Sequence, residues 1–245
     1  MRYLILLLVS FAAYAAQTQV EQVKYNAAEG RLNAVSDTEI VIQQSLGNNN
    51  KVTIKQSGHN QEINGIGQRA ASLQGNNNKL TINQGNPIAV TANNLIEMSV
   101  LGNNNDLTVN QGSTATDLGH HYQLLSVNGD NNLVSTTQTG QNHYSEVNIT
   151  GNNNTEILSQ SGNGQETFSL ISGNKDTINI TQSGNAHNIA DVSLYGNNLT
   201  ASVTQSGATA NTALISITNA GGSAGVNLTQ TGGQNYSVNI ICVTP

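Results

Sequence analysis

The 245-residue sequence contains no Trp, two Phe, two Pro, one Cys and only 9% charged residues. So small a stock of large aromatic side chains argues against an ordinary globular core, where such residues dominate burial. A single thiol cannot close an internal disulfide, so an exported chain of this kind needs another source of stability. Cys242 itself reads as a buried apolar residue near the C-terminal end rather than an intermolecular link. Proline is confined to Pro87 and Pro245, which leaves almost nothing to interrupt strand pairing. Basic residues are scarce too: eight Lys and Arg stand against fourteen Asp and Glu. With no basic patch, this balance argues against nucleic acid or an anionic membrane surface as partner. No apolar run approaches the roughly 20 residues of a membrane helix.

The longest apolar run sets an expectation about compartment. Arg2 precedes an apolar stretch from Leu4 to Ala12 and then Ala13-Tyr14-Ala15, the pattern of a cleavable secretory signal. Residues 1–15 are therefore expected as a signal peptide and 16–38, with weak periodicity, as a flexible leader. Residues 39–245 are expected as the structured domain.

Against these absences stands a repeat. A Gly, eight intervening residues and a Gln recur as Gly47/Gln56, Gly75/Gln84, Gly102/Gln111, Gly129/Gln138, Gly151/Gln160, Gly173/Gln182, Gly196/Gln205 and Gly221/Gln230. Successive glutamines are separated by 28, 27, 27, 22, 22, 23 and 25 residues, a period that belongs to solenoids and related arrays. Counting back from each Gln exposes a second period, of two. Two residues before it stand Ile54, Ile82, Val109, Thr136, Leu158, Ile180, Val203 and Leu228, and four before it Val52, Leu80, Leu107, Val134, Glu156, Ile178, Ala201 and Val226. This is a strand with the Gln on its inward face and polar residues such as Thr53 and Lys55 outside. Burying Glu156 in that register is costly, so a bulge that turns Ile157 inward is expected there.

After the Gln comes a turn with Gly at one offset: Gly58, Gly140, Gly162, Gly184, Gly207 and Gly232. A second strand follows, marked by pairs such as Ser99-Val100 and Ser193-Leu194, and leads to an Asn-rich turn such as Gly47-Asn48-Asn49-Asn50, where Asn tolerates left-handed backbone. Each unit of strand, turn, strand and turn cannot bury its apolar face alone, and stacking in register solves that. The expected fold is an all-β solenoid of about eight stacked strand-turn-strand repeats. Its height would be roughly 38 Å at about 4.8 Å per rung. Inside it, Gln56, Gln84, Gln111, Gln138, Gln160, Gln182, Gln205 and Gln230 form a structural amide ladder, each Gln bonding to those above and below. Extra residues within 59–70, 86–96 and 113–123 should sit on one edge as loops or as a partner surface.

Chemistry is hard to find. His120 and His121 are adjacent, and His143 and His187 fall two rungs apart, so all read as solvated or turn histidines and no metal site is expected. Asp106, Asp130 and Glu146 do not recur at one register, which removes the paired acids of a glycosidase and an acidic calcium cluster. No catalytic residue and no cofactor are expected.

The repeat resembles the curlin repeat of curli-type functional amyloids, over roughly residues 39–243. The stretches that carry the likeness are Lys51 to Asn60 (KVTIKQSGHN), Asp176 to Asn188 (DTINITQSGNAHN) and Val226 to Asn235 (VNLTQTGGQN), each with a Gln-x-Gly turn and an Asn soon after. Here Asn usually opens the repeat (Asn50, Asn78, Asn105, Asn132, Asn154), Ser occupies the return strand, and the post-turn Asn falls at varied offsets, as Asn60, Asn142, Asn188 and Asn235 show. The resemblance implies a secreted subunit that passes an outer-membrane curli-type secretion pore of a Gram-negative bacterium. It implies polymerisation with itself and a related curlin-type subunit into extracellular cell-surface fibres for biofilm and adhesion. Physics favours the same outcome, because a solenoid end without a capping helix invites another copy. The rival readings are a monomeric β-solenoid adhesin and an ice-binding solenoid. The latter wants a regular outward Thr array, but the position before each Gln reads Lys55, Asn83, Asn110, Thr137, Ser159, Thr181, Thr204 and Thr229.

Overall fold

A computed structural model of the chain describes residues 19–20, 30–34, 38–40, 42–45, 49–57, 61–67, 71–85, 93–112, 119–219 and 222–242. The expected signal peptide and the turn residues Gly47, Gly58 and Gly221 lie outside them. In chain order the strands are β1 (Gln19–Val20), β2 (Gly30–Ala34), β3 (Thr38–Ile40), β4 (Ile42–Ser45), β5 (Lys51–Ser57), β6 (Gln61–Asn64), β7 (Ala71–Gln74), β8 (Lys79–Gly85), β9 (Asn94–Leu101), β10 (Asp106–Gln111), β11 (Tyr122–Asn128), β12 (Leu133–Gln141), β13 (Tyr144–Thr150), β14 (Thr155–Asn163), β15 (Glu166–Asn174), β16 (Thr177–Gln182), β17 (Ile189–Asn197), β18 (Leu199–Ser206), β19 (Thr212–Asn219), β20 (Ala224–Thr231) and β21 (Asn235–Cys242).

These strands form an all-β parallel solenoid. The eight Gln-bearing strands stack, together with β2, whose Ala34 lies opposite Gln56, as a nine-stranded sheet in the order β2-β5-β8-β10-β12-β14-β16-β18-β20. The return strands form a twelve-stranded sheet, β1-β3-β6-β9-β11-β13-β15-β17-β19-β21, with β4 and β7 beside it. The period-two pattern explains the two layers. Along β9 burial alternates strictly, with Ile96, Met98 and Val100 inside, and they face Leu80, Ile82, Leu107 and Val109 of the opposite sheet across a dry aliphatic core. Complete burial of each such side chain is worth about 1.5–3 kcal/mol, and only the stack provides it.

The register corrects one expectation. No bulge forms at Glu156: β14 pairs residue for residue with its neighbours, Glu156 lying between Val134 and Ile178, and Ile157 points outward, 45% exposed. A one-residue slip would have turned Leu158 and Gln160 out together with Glu156, so keeping one buried carboxyl costs less than losing the strand.

The extra residues of the first repeats are partly built into the sheet rather than left as loops. Strand β6 pairs with β3 and β9, and residues 94–96 and 122–123 open β9 and β11, while 86–92 and 113–118 lie outside the described residues. Strand pairing also enters the stretch read as a leader, through Gln19–Val20 against Glu39–Ile40 and Gly30–Ala34 against Val52–Gln56. At the far end Cys242 is a free, half-buried thiol rather than a buried one, since among the described residues no rung covers it.

Candidate functional site

The features most able to define what this column does are its corners, where polar side chains are stacked inside the protein. At the Gln corner all eight glutamines align. Each Nε2 donates to the Oε1 of the next, from Gln56→Gln84 at 2.7 Å through Gln111→Gln138 at 2.8 Å and Gln160→Gln182 at 3.0 Å to Gln205→Gln230 at 2.8 Å. The same Nε2 also donates across the corner to a return-strand carbonyl, as from Gln138 to Tyr122, Gln160 to Tyr144 and Gln205 to Ile189 at 2.8–3.1 Å. Each amide thus joins rung to rung and sheet to sheet. Beside it Gly140, Gly162, Gly184 and Gly207 lie over one another, with Gly232 beyond, and a methyl on Gly162 would lie 1.9 Å from the Gly184 carbonyl oxygen.

The opposite corner assigns a separate task to each residue of the Gly-Asn-Asn-Asn turn. Gly75, Gly102, Gly129, Gly151, Gly173 and Gly196 stack so closely that a methyl on Gly151 would meet the Gly173 oxygen at 1.7 Å. The first Asn accepts the backbone N–H of the preceding rung through its side chain: Asn103 from Asn76, Asn152 from Asp130, Asn174 from Asn152. The second takes left-handed backbone, at Asn77, Asn104, Asn131 and Asn153, with Lys175 in the same role. The third is buried. Its Oδ1 accepts the N–H of the following rung (Asn105→Asn78, Asn132→Asn105, Asn154→Asn132), and its Nδ2 donates to a glycine carbonyl (Asn132 to Gly151, Asn154 to Gly173, both 2.9 Å).

Sequence reasoning missed a third ladder, at the start of the return strand. Gln61, Asn94, His121, His143, Gln165, Asn188 and Asn211 are all buried there. Side-chain acceptors take the N–H of the next rung: Asn94 from His121, His143 from Gln165, Gln165 from Asn188, Asn188 from Asn211. Of the post-turn asparagines singled out in the sequence, Asn188 belongs to this ladder, while Asn142 is exposed at a left-handed turn and Asn235 is exposed in β21; Asn60 lies outside the described residues. The reading of His121 and His143 as solvated turn residues is corrected as well. Both are buried, their rings stacked at 5.0 Å. His143 Nδ1 accepts from Gln165 while Nε2 sits 2.8 Å from the Thr139 carbonyl, so the neutral imidazole supplies the acceptor this position needs. His120 and His187 are exposed, and His187 lies 2.8 Å from the Glu166 carboxylate. The signal that finds this ladder runs backward from the return strand. Asn94, His121, His143, Gln165, Asn188 and Asn211 each stand six residues before a buried aliphatic residue, from Val100 to Ile217.

Two buried carboxyls interrupt the neutral interior. Neither oxygen of Glu156 makes a hydrogen bond of good geometry within the protein; burial pushes its pKa up to about 8, and the nearby Ser169 hydroxyl lowers it by less. Asp176 occupies the sixth place of the buried Asn ladder. Its Oδ1 accepts from Leu199, as an Asn would, but its Oδ2 sits without a partner where the preceding asparagines carry a donor. Burial raises its pKa as well. Among the described residues no three His, Cys, Asp or Glu side chains gather as metal ligands, and no helix is long and apolar enough to cross a membrane.

The protein is thus a parallel β-solenoid whose corners are fastened by buried Gln and Asn ladders. Residues 129–162 and 173–207 each match the curlin associated repeat, so the chain carries that repeat at two positions. This repeat marks a structural family rather than a family of enzymes, and it points to the extracellular curli system. No curated protein and no solved structure matches the chain.

Proposed function

We propose that the chain is a secreted structural subunit that self-assembles into curli-like amyloid fibres at the surface of a Gram-negative bacterium, as biofilm matrix and for cell adhesion. The observation that carries this reading is the open last rung. Among the described residues β20 and β21 each pair on one side only. Their inward residues Val226, Leu228, Val238 and Ile240 are only partly buried, whereas Ala201, Val203, Ile215 and Ile217 one rung below are at most 2% exposed. A second copy stacked there would complete the burial at about 1 kcal/mol per side chain and pair two rows of backbone groups. The curlin repeats support the same reading and, with it, export through a curli-type outer-membrane pore and co-assembly with a related subunit.

Incubating the purified chain from residue 16 tests the proposal. Thioflavin-positive, detergent-resistant fibres with a cross-β reflection near 4.8 Å are expected. A chain that stays monomeric at high concentration overturns the proposal in favour of a soluble surface adhesin. Val226→Lys with Val238→Lys, at the open rung alone, should slow elongation at least tenfold.

A further inference from the structure

The two broad outer faces of the column differ in charge. On the return sheet the outward residues include Glu97, Glu146, Glu166 and Asp191. Among the described side chains of the Gln sheet the outward charges Lys51, Lys55, Lys79 and Asp106 are confined to β5, β8 and β10, and from β12 to β20 no outward position carries a charge. The middle column of that face is Ser135, Ile157, Asn179, Ser202 and Asn227, in register from strand to strand. It is flanked by small hydroxyl residues such as Thr181 and Thr204, and Ile157 and Leu133 stand out from it, 45% and 42% exposed.

We infer that this neutral face is the surface on which two stacked columns of this chain pair side by side, Gln sheet against Gln sheet. The inference rests on the fibre reading above. An uncharged ladder of mostly small side chains is what a dry interface between sheets requires, and both partners have the same axial repeat, so a fit at one rung of β12 to β20 extends along that stretch. The other two pairings are worse. Return face against return face brings carboxylates together. Pairing the β12 to β20 stretch with the return face strips water from those carboxylates with no cation opposite, the lysines of the Gln sheet lying on β5 and β8. Extent decides when pairing occurs. Five strands at about 4.8 Å and six residues at about 3.3 Å cover roughly 500 Å² per copy, below the ~800 Å² per partner of a standard stable interface. Free chains therefore do not pair through it, whereas stacked chains present the face repeatedly and gain by multivalency.

The test is mass per length of fibres by scanning transmission electron microscopy, with elongation followed by thioflavin fluorescence. Wild-type fibres should contain two columns in cross-section. Ser135→Lys with Asn179→Lys, outward changes two rungs apart, should halve the mass per length with elongation within about twofold of wild type, and 1 M salt should restore pairing by screening. Ser193→Lys on the return face should leave pairing intact. Wild-type fibres of one column, an unchanged mass per length in S135K/N179K, or equal loss in S193K overturns the pairing while leaving the fibre reading standing. Single wild-type fibres that bind insoluble neutral polysaccharide, and lose it in S135K/N179K, give the face to a glycan instead. A chain that forms no fibres defeats both readings together.

Discussion

The Gln corner and the return-strand corner are built from the same idea and filled with different strictness. At the first, eight of nine stacked positions are Gln, the ninth being Ala34 at the β2 end. At the second, seven aligned positions hold Gln, Asn and His in mixture. The difference follows from which bonds each side chain must repeat on every rung. Gln160 accepts from Gln138, donates to Gln182 and donates again to the Tyr144 carbonyl, which takes an acceptor and a two-proton donor at the reach of three methylene and carbonyl carbons. What His143 shares with its ladder neighbours is one acceptor for the N–H of the next rung, and an imidazole nitrogen or either amide oxygen supplies that, its Nε2 contact with Thr139 being its own. Gln165 and Asn188 make further bonds of their own, but these differ from rung to rung, so corner strictness measures how many bonds recur unchanged along the stack.

The sharpest way to test that comparison is to cut each corner once. Gln160→Leu leaves the Gln138 Nε2, the Gln182 Oε1 and the Tyr144 carbonyl short of a buried partner. At ~1–3 kcal/mol per group, a loss of about 4 kcal/mol is expected in guanidinium denaturation followed by circular dichroism. Gln56→Leu, with one described ladder partner, should cost about half as much.

The next largest effect belongs to pH. Glu156 has its folded pKa raised to about 8, so its neutral form suits the core. Its contribution is fully present below the ordinary Glu range and is lost as pH rises through about 8. Stability should therefore fall by roughly 3 kcal/mol between pH 4 and pH 7 on account of this group, and Glu156→Leu should flatten that slope. A melting profile of E156L as steep as wild type would remove Glu156 as the cause. Asp176→Asn should add about 1 kcal/mol at pH 7 by returning a donor to a ladder that has lost one, and it should do least at low pH, where the acid carries its own proton. Smallest of all, His143→Asn should change stability by under ~0.5 kcal/mol because it keeps an acceptor, whereas His143→Ala should cost about 1 kcal/mol. Equal costs for both would show that ring stacking with His121, not the hydrogen bond, holds this corner.

Why one ladder was legible and the other was not has a physical basis. The interval from Gly to Gln is constant, so the amide register could be counted directly in the sequence. The return-corner ladder follows a turn of changing length and changes side chain from rung to rung, so no single residue type or forward offset marks it. Its fixed distance appears only when measured back from the aliphatic residues of the return strand. Glu156 was misread for a related reason. A buried carboxyl is locally unfavourable, and single-strand reasoning moves it out through a bulge, but nine consecutive paired positions from Leu133↔Thr155 to Gln141↔Asn163 hold β14 in place.

The sequence by itself determined the strand periodicity, the rung length and the residues that line the Gln corner, because these depend on side-chain alternation and on spacing along one chain. Only the tertiary structure decided which polar side chains end inside the other corners, where the buried carboxyls sit and which outer stretch, β12 to β20, is free of charge. Those properties arise between rungs, where residues more than twenty positions apart lie one above another, and a hydrogen bond or a charge there is defined by its neighbours in the stack.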